Sequence, residues 1–319
     1  AVVKLDSTKE RDALGYTDKF PRWAIAYKFE AEESETVVKK VVWQVGRTGK
    51  LTPLAMVEPV ELAGATVRKA TLNNYGDLTR KGVKVGSRVL IRRSNEVIPE
   101  ILSAIDHTEG SVNVVKPDIC PFCGSKINEV GANLFCPNKY CPPRVVAKIE
   151  HFASKDAMDI EGLSEKTAAL MYDELELRNC SQLYSYTRED FAKLDGFKKR
   201  KIDNITGAIE KSKRIPLERF LLALGIDGVG KVAAKDLARA FGNLENLKCA
   251  TRERLLELEN VGEITADGIT GWFADENNLK ELDALLTAGV TPFVAVKPVG
   301  AGIFAGQFVV LTGTLQDFK

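Results

Sequence analysis

The cysteines of Cys120-x2-Cys123-x12-Cys136-x4-Cys141 constrain this chain more than any other feature of its sequence. Zinc wants four soft ligands in a tetrahedron, and a tight CxxC pair fills two corners from a single turn. Gly124 follows the first pair and Pro142 the last cysteine, where turns that aim the sulfurs are needed. The alternatives are two disulfides, or four ordinary buried cysteines. No secretory features accompany the segment, and Cys180 and Cys249 stand alone as expected core residues. The spacing therefore predicts zinc (Zn2+), and a structural one, because four thiolates leave no open position for a substrate.

Sequence periodicity differs on the two sides of this module. Over residues 36–105, Val37, Val41, Trp43 and Val45 are expected on one strand face, and Gly46-Arg47-Thr48-Gly49 signals a turn. Further β-branched runs at Ala65–Leu72, Arg88–Arg93 and Val97–Ile105 suit a small β-barrel such as an OB-fold. Beyond the cysteines the pattern becomes helical, with Ala233, Leu237, Ala240 and Phe241 on one expected face. Pro292 to Gly302 reads as a linker, and Phe308 to Leu311 as the start of a strand.

The helical region contains a repeat. Gly162-Leu163-Ser164-Glu165, Gly196-Phe197-Lys198-Lys199, Gly228-Val229-Gly230-Lys231 and Asn260-Val261-Gly262-Glu263 align without gaps. Each has an apolar second residue and opens a helical stretch. Ankyrin and tetratricopeptide signatures are missing, so four helix-hairpin-helix units fit better. In such a unit glycines let the backbone approach a phosphate, and the following helix offers it free N–H groups. The bland alternative is a turn that merely links helices. The second and third units, with Lys198, Lys199, Gly228, Gly230 and Lys231, are the expected phosphate grips. Gly230 is expected to need positive φ, and the acidic fourth unit, with Gly262, mainly to pack.

Total charge is uninformative, since 45 bases face 44 acids. Its distribution is not uniform. Leu78 to Asn95 contains no acid but carries Arg80, Lys81, Lys84, Arg88, Arg92 and Arg93, whereas Thr251 to Val290 has nine acids against three bases. Either run could equally be a solvated face. No apolar run approaches a membrane span and no signal peptide opens the chain, so a cytoplasmic protein is expected. Ala1 is not Met and begins inside an apolar run, so it is expected to be a cut edge.

Taken in order, these pieces resemble the bacterial NAD-dependent DNA ligases. Ala1-Val2-Val3-Lys4 is similar to the end of a nucleotidyltransferase motif, and Trp23-Ala24-Ile25-Ala26-Tyr27-Lys28-Phe29 to the next motif. Val45 to Gly49 and Arg92 to Pro99 resemble the family's barrel motifs, and Phe308 to Leu315 the first strand of a BRCT domain. Asn95-Glu96 departs from the family's usual Gly-Asp. The implied organisation is multidomain. Residues 1–30 would end the adenylation domain, 31–116 form the OB-fold, and 117–145 the four-cysteine zinc finger. Four hairpins would occupy 146–292 in an all-α domain, a linker 293–302, and a truncated BRCT start 303–319.

The resemblance implies nick sealing, with AMP passing from NAD to a lysine outside this chain, then to a 5′-phosphate, before the 3′-hydroxyl displaces it. Mg2+ would assist the full-length enzyme, and this chain alone is expected to bind DNA without ligating. Lys4 and Lys28 would stabilise charge at the α-phosphate. Arg47, Thr48, Arg92 and Arg93 would hold DNA phosphates, and Val97 and Ile98 would press into the minor groove or fill the barrel core. The implied partner is nicked duplex DNA of any sequence, bound by a monomer at the nucleoid. A non-enzymatic repair scaffold is the alternative, although Lys4, Lys28 and their motifs have no purpose in one. An ATP-dependent ligase is a third reading, disfavoured by the zinc, hairpin and BRCT order.

Overall fold

The computed structural model describes residues 1–17, 20–27, 32–94 and 98–294. Lys28, Val97, most of the expected linker and the expected BRCT strand lie outside the described residues. At the N-terminus β1 (Val2–Lys4) and β2 (Ala24–Ala26) form an antiparallel ribbon, with α1 (Thr8–Leu14) between them in sequence. Ser7 caps α1 by accepting from the Glu10 amide, so this unit has defined local structure although its strand residues are largely exposed.

Five strands then build a barrel. They are β3 (Glu33–Val45), β4 (Lys50–Leu62), β5 (Ala65–Thr71), β6 (Lys84–Ser94) and β7 (Ile98–Asn113), with α2 (Tyr75–Arg80) between β5 and β6. The order β3-β6-β7-β5-β4 closes through a further β3–β4 pairing, and only the β5–β7 contact is parallel. This is the closed five-stranded arrangement of an OB-fold, and closure removes the sheet edges. Val38, Val57, Leu72, Val89, Ile91 and Ile101 fill its core.

One expected face is corrected. Thr36 and Val38 are buried, whereas Val37 is only half-buried. The register between β3 and β4 shifts between Val38 and Lys40, and this bulge resets the two-residue alternation before Val45 turns inward. Val37 therefore does not share a face with Val45.

The barrel sheet continues into the cysteine module. β8 (Asn128–Val130) pairs with β9 (Asn133–Phe135), and β9 joins β4 through Lys50 with Phe135 and Leu51 with Leu134. Leu51, Val45 and Leu134 share one buried cluster with Cys120, Cys136 and Cys141. The module is thus an extension of the barrel rather than a separate knob.

The helical part begins with α3 (Pro142–Ala153) and α4 (Glu165–Glu174), then a 3-10 turn at Ser181–Tyr184. Next come α5 (Arg188–Ala192), α6 (Lys199–Ser212), β10 (Arg214–Pro216), α7 (Leu217–Leu224) and α8 (Lys231–Phe241). α9 (Leu244–Lys248), α10 (Arg252–Leu256), α11 (Glu263–Ala274), α12 (Glu276–Thr287) and β11 (Thr291–Phe293) complete it. Phe152, Met171, Phe191, Phe220 and Leu237 belong to one continuous core. β11, at the edge of the expected linker, pairs in parallel with β10. Ala240 is exposed, so the buried stripe of α8 is Ala233, Ala234, Leu237 and Ala238. Cys180 is buried as expected, but Cys249 is exposed, because it caps the short surface helix α9. No helix among the described residues is long and apolar enough to cross a membrane.

Candidate metal centre and nucleic-acid interface

The four cysteine sulfurs lie within 4.8 Å of one another and none is in a disulfide. Cys120 Sγ is 3.7 Å from Cys141 Sγ, and Cys123 Sγ is 3.5 Å from Cys136 Sγ. A tetrahedron with zinc–sulfur bonds of about 2.3 Å has edges of about 3.8 Å, so the cage fits that ion. Local chemistry sets it up. The Gly124 amide bonds Cys120 O at 3.0 Å to close the first knuckle, and Gly124 takes φ of +71°. Cys141 is the N-cap of α3, followed by Pro142, whose missing N–H costs nothing at a helix start. Burial pushes the Cys136 thiol up to about 11 and the Cys141 thiol higher still, while at Cys123 hydrogen bonds from Ser125 outweigh the same push. Buried thiolates need a cation, and the donor set of four sulfurs suits zinc.

The predicted turn Gly46-Arg47-Thr48-Gly49 connects β3 to β4, with the Gly49 amide bonded to Gly46 O at 2.9 Å. Thr48 is exposed, but Arg47 is half-buried, and its Nη1 donates to Gly225 O at 3.0 Å, 178 residues away. Arg144 pins the turn from the other side, donating Nε to Arg47 O at 3.1 Å and Nη1 to Cys136 O at 3.2 Å. Sequence reasoning missed Arg144. Its position three residues after the last ligand, on the first turn of α3, was the available signal.

The acid-free basic run proves to be largely neutralised from elsewhere. Asp77 pairs with Arg80 and with Lys81 (2.7 Å), and Lys81 also donates to Ile101 O. Arg88 meets Glu35 at 3.4 Å and Asp106 at 2.6 Å, and Arg92 meets Glu100 at 2.8 Å. Arg93 instead donates to Ala63 O at 3.2 Å, and with Lys84 has no acidic partner among the described residues. Ile98 opens β7, paired with Ser94 at the end of β6. Lys4 lies exposed at the end of β1, opposite Ala24.

The four predicted hairpins share one backbone pattern. The amides of Leu163, Phe197, Val229 and Val261 bond the carbonyls of Ile160, Leu194, Ile226 and Leu258 at 3.1–3.3 Å. All four second residues are buried. Ser164, Lys198, Gly230 and Gly262, the third residues, are the N-caps of α4, α6, α8 and α11. Positive φ falls on the first residue, at Gly162, Gly196 and Gly228, and not on Gly230, whose φ of −92° any residue can adopt.

The units differ in what they offer. Ser164 caps its own helix by accepting from the Thr167 amide, whereas α6, α8 and α11 have no side-chain cap. Lys198, Lys199, Arg200 and Lys201 are exposed around the α6 N-terminus. Lys231, at the start of α8, pairs with Asp156 at 2.5 Å, a surface contact that water or another anion can displace cheaply. A Cβ on Gly230 or Gly262 would meet no atom within 4 Å. The fourth hairpin thus does not pack through Gly262 as expected. Its N-terminus is open but lies among Glu259, Glu263 and Asp267.

Three family models match the chain: the NAD-dependent DNA ligase adenylation domain over residues 1–32, the NAD-dependent DNA ligase OB-fold domain over 35–112, and the helix-hairpin-helix motif over 219–282. A DNA ligase of Alkaliphilus metalliredigens is 50% identical across 99% of this chain, and DNA ligase 2 of Clostridium acetobutylicum is 49% identical across 100%. A DNA ligase of Clostridium novyi is 48% identical, also across 100%. The chain covers 48% of each, so it spans about half the length of the curated relatives it matches. With matches to that family's adenylation and OB-fold domains, a helix-hairpin-helix match after them and DNA ligases as relatives along its whole length, the chain belongs to the NAD-dependent DNA ligase family.

Proposed function

We propose that this chain is the nick-gripping part of an NAD-dependent DNA ligase, a protein that joins 3′-hydroxyl and 5′-phosphate ends in duplex DNA during replication and repair. The observation that carries this reading is the four-fold hairpin pattern, in which α6 and α8 present uncapped, exposed N-termini flanked by Lys198, Lys199 and Lys231. Such ends bind phosphate oxygens through backbone N–H groups and positive dipole ends, without reading bases.

On the barrel side, Arg93, Thr48 and Arg92 would meet phosphates, with Arg92 exchanging its Glu100 partner, and Val97 and Ile98 would reach the minor groove. Arg47 belongs to the same edge. Lys4, with Lys28, would face the α-phosphate of the adenylate. NAD supplies the AMP group and Mg2+ offsets phosphate charge; this chain's contribution is to orient the nick and hold fixed cations beside it. Cys120, Cys123, Cys136 and Cys141 would hold structural zinc. The working form would be a cytoplasmic, nucleoid-associated monomer.

Fluorescence anisotropy with a nicked duplex, an intact duplex and a single strand tests the reading on the 319-residue chain. Binding of the nicked duplex, independent of sequence and falling steeply with salt, is expected. No binding at low salt would remove the grip, and preference for the single strand would point to a different substrate.

A further inference from the structure

The barrel turn at Arg47 is gripped from two sides by groups distant in sequence. Arg144 ties its backbone to the cysteine module, through Arg47 O and Cys136 O. Gly49 is fitted to this contact: its φ is +84°, and a Cβ there would stand 2.4 Å from Cys136 O and 3.1 Å from Arg144 Nη1. The Cys136 amide returns a bond to Gly49 O at 2.8 Å. On the other side the Arg47 guanidinium reaches Gly225 O, at the C-cap of α7, and a Cβ on Gly225 would stand 2.5 Å from Arg47 Nη1. His151 supports the same helix end, with Nε2 donating to Leu222 O at 2.8 Å. Lys139 adds a second crossing, pairing at 2.5 Å with Asp275, the N-cap of α12. Arg47, Arg144, Gly225, Lys139 and Asp275 border a cleft of about 400 Å³ where barrel, cysteine module and helical domain meet.

Gly225 begins the turn that leads into the third hairpin, so Arg47 links one DNA grip to the other. We propose that Arg47 and Arg144 are positioning residues, a strap that fixes the spacing between the barrel edge and the third hairpin before DNA arrives. The proposal rests on the DNA-binding reading above and changes the part Arg47 plays in it. Its guanidinium bonds a peptide oxygen 178 residues away in the helical part, and so joins two parts of the protein, whereas Arg93 bonds Ala63 O within its own barrel. Two grips on a loose joint must lose orientational freedom when they close on one duplex. A strap removes that cost in advance, so it raises affinity without adding a phosphate contact.

The two roles differ in salt dependence. Losing a phosphate ligand flattens the plot of log K against log salt by about 0.9. Losing a strap lowers affinity at every salt concentration and leaves the slope alone. Arg47→Lys retains the charge but loses the planar fork, and is expected to weaken nicked-duplex binding about tenfold with an unchanged slope. Gly225→Ala, which changes no charge but displaces the guanidinium, should do the same, and Arg47→Ala should differ from Arg93→Ala in retaining the slope. Circular dichroism and bound zinc should match the parent in each. In a DNA-free arm, small-angle scattering should show a larger radius of gyration for Arg47→Lys and Arg144→Ala than for the parent. Parental affinity in Arg47→Lys together with a flattened slope in Arg47→Ala would make Arg47 a phosphate ligand and overturn the strap, as would unchanged scattering. Failure of the parent to bind any DNA would instead sink the DNA-binding reading, with scattering still deciding whether the strap exists.

Discussion

Gly228 sits against Thr265 so closely that a Cβ added to it would stand 2.8 Å from Thr265 Oγ1 and 3.1 Å from Thr265 Cα. The third hairpin therefore packs directly on the first turn of α11. This separates the two glycines of the Gly228-Val229-Gly230 turn, which look alike in sequence. Gly228 needs its missing side chain twice, for φ of +80° and for this contact. Gly230 needs it for neither, so any requirement for glycine there comes from what approaches it.

Gly228→Ala is accordingly expected to destabilise the chain by about 2–4 kcal/mol, adding left-handed strain to overpacking against a backbone atom. Gly230→Ala should stay within about 1 kcal/mol of the parent, since its backbone is ordinary and its surroundings empty. DNA affinity should respond in the opposite sense, with folded Gly230→Ala binding several-fold more weakly. Gly262→Ala, equally unobstructed but among acids, should change neither property. Chemical denaturation and anisotropy on the three variants check this, and equal affinity loss at Gly230 and Gly262 would mean the gripping hairpins are wrongly assigned.

One zinc per chain is expected from elemental analysis, bound by Cys120, Cys123, Cys136 and Cys141. Its removal should not be a local event. Cys136 bonds Gly49, β9 pairs with β4, and Val45 and Leu51 share the cysteines' buried cluster. Chelation should therefore lower Tm and raise amide exchange at Cys136 and Leu51 as well as at the knuckles. Exchange confined to residues 117–144, or a metal-free native protein, would contradict that coupling.

The parts legible in the sequence were those encoded over short spans. Cysteine spacing revealed the cage because ligands from two turns meet locally. The hairpins were readable because each repeats one turn, with Leu163, Phe197, Val229 and Val261 buried in the same place. What escaped were relationships between distant strands. The run from Arg80 to Arg93 looked like a basic face because Glu35, Glu100 and Asp106 lie elsewhere in the chain, and sheet pairing brings them alongside. Arg47 reads as a surface turn residue until Gly225, 178 positions on, is placed beside it. The bulge after Val38 had no signal in the alternation it interrupts.

Asp77 provides a pH-dependent contribution. Burial alone would raise its carboxyl, but hydrogen bonds from Lys81, Asn73 and Arg80 outweigh this and hold it at about 2, below the usual carboxylate range. The folded pKa is thus depressed, so the stabilisation is present above the unfolded value and is lost as pH falls from about 4 to about 2. The Lys81 side chain is only 6% exposed, so removing its counter-charge leaves a buried ammonium short of a partner. Asp77→Asn should cost on the order of 1–2 kcal/mol at neutral pH and much less near pH 2. Urea denaturation of both proteins between neutral pH and about pH 2 measures it. A cost independent of pH would show that packing, not charge, is the cause.

Arg92 and Arg93 are adjacent in sequence but should behave differently toward salt. Neighbouring strand residues point to opposite faces. Arg92 finds Glu100 across the β6–β7 pairing at 2.8 Å, so its charge is already offset within the protein and a phosphate must compete with a carboxylate. Arg93 donates to the uncharged carbonyl of Ala63, so its charge remains available to the DNA backbone. Each phosphate neutralised by a cation releases condensed counterions and steepens the salt dependence by about 0.9. Arg93→Ala should therefore flatten the slope by nearly one unit, whereas Arg92→Ala should flatten it by clearly less. The Arg92 variant also exposes Glu100, which repels the duplex and should weaken binding most at low salt. Restoring neutrality with Arg92→Ala and Glu100→Gln together should recover much of that low-salt loss. Equal slopes for the two single variants would mean that Arg92 abandons Glu100 on binding and serves as a phosphate ligand of the same standing as Arg93.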